Sequence, residues 1–189
     1  PVFKKSKVNV NQKWFRHMPA FDYDVERELE KDKQKFDKLY FDPKLEGYRN
    51  EEWFKRLNGV WFMCKGVPTY ITGLHYFYLN WWKIDIGYPH YRDSDRRTWL
   101  YWQWCVENGD SYGLIECTRR RSGKTARAAL AAFDPPSRMF NVQSGIQSKT
   151  RDDAKSFFTK VIGSFKYLPD FFQPVYDYKK IQSTLGFRF

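Results

Sequence analysis

Eight consecutive residues carry the clearest chemistry in this sequence: Thr118-Arg119-Arg120-Arg121-Ser122-Gly123-Lys124-Thr125. The closing Gly-Lys-Thr is the pattern of a loop that cradles phosphate. Gly123 lets a backbone approach closely, without a Cβ in the way. Lys124 brings an ammonium to the β and γ phosphates, and Thr125 brings a hydroxyl to Mg²⁺. The first position is Thr118 where the usual G-x-x-x-x-G-K-[ST] pattern has Gly, so the loop is a deviant Walker A. Three arginines inside it exceed what backbone N–H groups need to hold a triphosphate. One of them can stabilise charge developing on a transferred phosphoryl group, contact DNA phosphate, or only raise nucleotide affinity. The nucleotide-binding set is therefore Arg119, Arg120, Arg121, Ser122, Gly123, Lys124 and Thr125.

Such a loop works only between the right elements. Before it, Tyr112-Gly113-Leu114-Ile115-Glu116-Cys117 is short and mostly apolar, as a buried parallel strand is. After it, the Ala-rich run Ala126–Phe133 predicts a helix, stopped by Asp134-Pro135-Pro136. A helix start offers unpaired N–H groups and a positive dipole end to an anion. Met139-Phe140-Asn141-Val142 reads as a second strand. Thr150 and Asp153 cap a further helix with an apolar face of Ala154, Phe157, Phe158, Val161, Ile162 and Phe165, ended by Leu168-Pro169-Asp170. Strand–helix–strand–helix order predicts an α/β fold, a P-loop (RecA-like) parallel sheet flanked by helices.

Upstream, residues 1–20 read as an arm and 22–40 as an amphipathic helix without functional content. Residues 53–104 hold 16 of the 38 aromatics. Val60–Met63 and Thr69–Ile71 around Lys65-Gly66 read as a hairpin. Basic residues are sparse there, so the aromatics read as core rather than base-stacking groups. A helix is expected over 94–108, with Ser94 as cap, Trp99, Trp102 and Val106 on one face and Cys105 nearby, followed by a turn at Asn108-Gly109-Asp110. The expected organisation is an arm and helix over 1–52, an aromatic-rich α+β segment over 53–110, and the start of a P-loop ATPase domain over 111–189.

Composition narrows the partners. Of 189 residues, 33 are Lys or Arg and 22 Asp or Glu, a net charge of +11. Residues 118–189 hold 14 of those basic residues against 5 acidic ones, which favours a polyanion: nucleotide, nucleic acid or both. No apolar run approaches the ~18 residues of a membrane span, and no signal-peptide pattern opens the chain. Cys64, Cys105 and Cys117 form no disulfide framework, which favours a reducing compartment. His17, His75 and His90 lack metal-ligand spacing and read as ordinary packed or surface residues.

The loop resembles the deviant Walker A of tailed-phage large terminase subunits, in which an arginine lies three residues before the Gly of Gly-Lys-Ser/Thr; here that residue is Arg120. Gln147-Ser148-Lys149-Thr150 with Asp152-Asp153-Ala154, and Leu168-Pro169-Asp170-Phe171-Phe172-Gln173-Pro174, resemble later segments of that ATPase. Tyr70–Asn80 is similar to the N-terminal segment of terminases from crAss-like phages. The resemblance implies a RecA-like ATPase that uses ATP and Mg²⁺ to drive double-stranded DNA into a procapsid, with a nuclease domain after it. It implies Arg120 and Lys124 as catalytic residues and Thr125 as the Mg²⁺ ligand. Implied partners are double-stranded DNA, the portal protein, the small terminase subunit and further copies in a ring on the portal, in the host cytoplasm and without a membrane. Gln103 is only a loose candidate for an adenine contact. No apolar strand ending in Asp-Glu follows the loop, and no carboxylate cluster suits a two-metal nuclease. The chain therefore reads as the N-terminal part of a longer terminase, inactive alone. The alternatives are another P-loop DNA translocase or helicase, and a non-enzymatic basic nucleic-acid-binding module.

Overall fold

The computed structural model describes residues 43–139 and 141–174. The expected arm over 1–20, the helix over 22–40, the residue Phe140 and the C-terminal end of the chain lie outside the described residues. The elements are α1 (Pro43–Asn58), β1 (Val60–Cys64), β2 (Val67–Ile71), α2 (Gly73–Asn80), α3 (Asp93–Glu107), α4 (Lys124–Arg138), α5 (Arg151–Phe165) and a 3₁₀ turn at Asp170–Phe172. They divide between two compact units. One includes the described residues up to Asn80 with His90–Tyr112; the other includes Trp81–Pro89 with the described residues from Gly113.

The first unit is built on the hairpin. β1 and β2 pair antiparallel, with Cys64 opposite Val67 across Lys65-Gly66. Both turn residues have positive φ, 49° and 83°, the backbone of a tight type I′ turn whose twist suits a hairpin. The next stretch, Gly73–Asn80, is a helix with seven of its eight residues buried. Phe62, Ile71, Tyr76, Phe77, Tyr78, Leu79 and Trp99 form the core. His75 is fully buried and stacks on Tyr91 at 5.7 Å, a packed residue within an aromatic cluster. The α1 face toward this core is polar. The Tyr76 hydroxyl donates to Glu52 at 2.6 Å, and the Arg56 guanidinium lies 4.1 Å from the Phe77 ring centre. Burying those charges is tolerable because each is matched, by hydrogen bonds or an aromatic face.

α3 departs from its expected details. It starts at Asp93 with Arg92 as its cap residue and no side-chain cap bond, and its buried positions are Asp95, Trp99 and Cys105. Val106 is exposed. The stripe runs i, i+4, i+10 with half-buried Trp102 between, one position off the face expected from Trp99, Trp102 and Val106. Asn108 to Ser111 closes as a turn through a 3.0 Å backbone bond.

The second unit is two helices and a strap. α4 packs on α5, with Leu130, Phe133, Val161 and Phe165 buried between and around them. The strap Trp81–Pro89 adds Trp82, 5.1 Å from Phe133, and Trp81, against Phe171 and Phe172. Its backbone is held by Ser164 Oγ donating to the Lys83 carbonyl at 2.6 Å, and by the exposed Lys160–Asp85 pair.

The expected parallel sheet is not there: among the described residues the only sheet is the two-stranded antiparallel hairpin, and the fold is mostly helical. Residues 112–117 are irregular, with Tyr112 and Ile115 fully or nearly fully exposed. An apolar composition does not make a strand; the ladder needs a neighbour to take its N–H and C=O groups. The intended neighbour, around Met139–Val142, is interrupted by Asn141 in a left-handed backbone, φ 58°. The helix also outruns its expected stop, continuing through Pro135 and Pro136 to Arg138. Asp134 holds this last turn: its carbonyl accepts from Ser137 Oγ and its carboxylate from Arg138 Nε, both at 2.7 Å.

Candidate phosphate-binding loop

α4 begins at Lys124, and the residue before it, Gly123, has φ 84° and ψ 8°. A side chain at that left-handed position would be strained, so the glycine answers a backbone demand. The first turn is tightened: the N–H groups of Ala126 and Arg127 both donate to the Gly123 carbonyl, at 3.0 and 3.2 Å. Gly123 has no side chain to cap the helix, and the first turn carries no acidic residue. The positive end of a 15-residue helix is therefore left without a local negative charge at Lys124 and Thr125.

The loop leading in is closed on itself. The hydroxyls of Thr118 and Ser122 are 2.7 Å apart, bringing the two ends of the arginine run together. Arg121 has φ 65°, which turns the chain sharply before Ser122. Beneath, the guanidinium of Arg127 donates through Nη1 to the Ser122 carbonyl at 2.9 Å and pairs through Nη2 with Glu116.

Arg119, Arg120, Arg121, Gly123, Lys124 and Thr125 are exposed, and Ser122 is half-buried. Arg119, Arg120, Arg121 and Lys124 make no ion pair among the described residues. Arg121 differs from the other two in its left-handed backbone, and nothing in the geometry separates Arg120 from Arg119. Among the described residues no group of three or more His, Cys, Asp or Glu could hold a metal ion. A cation at this loop would rest on the Thr125 hydroxyl and the phosphates it accompanies. The Gln147–Thr150 segment leads directly into α5, where Thr150 accepts from the Asp153 N–H at 3.2 Å and donates to its carboxylate at 2.7 Å. Gln103 donates to Glu107 at 2.6 Å.

Sequence reasoning missed Arg127 and Glu116. A signal for Arg127 did exist: it lies three and seven residues before Leu130 and Asp134, on the buried face of α4. Nothing in the sequence pointed to Glu116 as its partner. No helix among the described residues is long and apolar enough to cross a membrane. No protein-family model, curated protein or solved structure matches the chain.

Proposed function

We propose that residues 118–125 bind the phosphates of ATP together with Mg²⁺, and that the chain is the ATP-binding part of a viral DNA-packaging motor of the terminase large-subunit type. The supporting observation is the closed loop that ends on left-handed Gly123 and runs directly into the uncapped start of α4. The motifs around Arg120, Gln147–Ala154 and Leu168–Pro174 supply the link to packaging. The proposal rests on the loop and the helix; the strand expected before the loop is irregular in the structure.

In this reading the phosphates meet the helix start, where the N–H groups of Lys124 and Thr125 and the Lys124 ammonium supply positive charge. The Thr125 hydroxyl ligates Mg²⁺ alongside the phosphate oxygens. Arg120 faces the γ-phosphate, where charge grows as the phosphoryl group leaves. Double-stranded DNA, the portal protein, the small terminase subunit and other copies of the chain in a ring are the partners, at the procapsid portal in the host cytoplasm. The test is titration calorimetry of the chain with Mg²⁺-ATP. Lys124→Ala should weaken binding by about 2 kcal/mol, roughly 30-fold, because a charged hydrogen-bond donor is lost. Equal affinity of the two proteins refutes the assignment.

A second reading has its own support: Arg119, Arg120 and Arg121 are exposed and unpaired by any acid among the described residues. They suit the backbone phosphates of nucleic acid without a nucleotide. DNA binding that is steeply salt-dependent, unaffected by ATP and equally reduced by each arginine-to-alanine change would favour this module over the motor.

A further inference from the structure

We infer that Arg127, buried beneath the loop, is a positioning residue that aims the backbone of residues 118–123 at the bound phosphate; the inference rests on the phosphate reading of the loop. Arg127 is only 4% exposed. Its planar fork reaches both sides of the loop, through Nη2 to Glu116 before the arginines and through Nη1 to the Ser122 carbonyl after them. Arginine presents two such arms in a fixed geometry, and lysine does not.

The consequence follows from peptide geometry. In a trans peptide the C=O and the following N–H point in opposite directions, and the chain has no cis peptide among its described residues. By drawing the Ser122 carbonyl toward itself, Arg127 turns the Gly123 N–H away from the buried side. The negative end of that peptide dipole is kept from the anion, and the positive end faces it. Glu116 balances the buried guanidinium, so Arg127 orients the loop without competing for the phosphate. The Thr118–Ser122 hydroxyl contact at 2.7 Å completes the brace from above. The three arginines are thus carried on a closed loop, not a free strand, which lowers the ordering cost when an anion binds.

The test uses the whole chain and inorganic tripolyphosphate, with Arg127→Lys as the main variant. Lysine keeps a positive charge beside Glu116 and removes the second arm. The expected result is a roughly tenfold loss of tripolyphosphate affinity, with a several-fold faster tryptic cut within Arg119–Arg121 as the loop opens. Thr150→Ala, which weakens the α5 cap away from the loop, should leave both readouts at their original values. Binding that depends on Lys124 but is unchanged in Arg127→Lys overturns the role of Arg127 while the phosphate reading stands. No binding by the original chain overturns the phosphate reading and this role with it. An equal affinity loss in Thr150→Ala marks the effect as general destabilisation and also overturns the role.

Discussion

Replacing Trp82 by alanine should be the most damaging single change in the unit that carries the loop. Trp82 belongs to the strap Trp81–Pro89 and is completely buried, with its ring 5.1 Å from that of Phe133, which in turn lies 5.8 Å from Phe165. A buried tryptophan removes about 200 Å² from water, worth about 5 kcal/mol at 25 cal/mol/Å². Alanine retains a small part of this and leaves a cavity between strap and helix. The indole N–H of Trp82 has no acceptor among the described residues, a cost of about 1–3 kcal/mol that the substitution relieves. The net expectation is a loss of about 3–4 kcal/mol, within the range for aromatic truncations. Trp82→Phe keeps much of the ring contact and also removes the orphan donor, so its loss should stay below about 1.5 kcal/mol. Urea unfolding followed by circular dichroism measures both, with the slope against urea checked for a change in the denatured state. If Trp82→Ala lost less than 1 kcal/mol, the strap would not be part of the folded unit, and the packing argument for α4 would fail. If Trp82→Phe lost as much as Trp82→Ala, the assignment of the orphan N–H would be wrong.

Further outcomes follow from single contacts. The chain by itself should not hydrolyse ATP, because no apolar strand ending in Asp-Glu follows the loop in the sequence given; Lys124-dependent turnover in a phosphate-release assay would contradict this. In the packaging motor, Arg120→Ala should lower turnover far more than ATP affinity, whereas Arg119→Ala and Arg121→Ala should lower turnover less; normal turnover of Arg120→Ala removes its special role. Gly73→Ala should strongly destabilise the first unit, since a Cβ there would overlap the Arg56 carbonyl, and a melting temperature within a degree or two of the original would refute that close approach. Burial raises the Tyr91 hydroxyl far above the ordinary phenol value, with its hydrogen bond to Asp93 and the Asp93 charge acting the same way. A phenol whose folded value is raised binds its proton more tightly in the folded state, so stability is full below pH 10 and falls as pH rises beyond it. Tyr91→Phe should blunt that alkaline loss in a melting series from pH 8 to 11.

Local rules carried the reading wherever a few neighbouring residues decide the outcome. The Lys65-Gly66 turn, the Thr150 cap on Asp153 and the apolar face of α5 were legible because turn geometry, a side-chain cap and helical spacing act within a handful of residues. The start of α4 at Gly-Lys-Thr was legible for the same reason. The sheet was not. Whether Tyr112–Cys117 becomes a strand depends on a partner for its backbone, and a run of apolar residues carries no information about that partner. The length of α4 beyond Pro135 was likewise hidden, because its last turn is held by Asp134 contacts to Ser137 and Arg138. Glu52 and Arg56 are charged residues, and only the contacts of Tyr76 and Phe77 from another helix make them interior. The brace of the loop lay furthest from view. Arg127, Glu116 and the Ser122 carbonyl meet only when the chain has turned through Arg121 and Gly123, so the residue types were available in the sequence, while the closed loop they form was decided by tertiary contact.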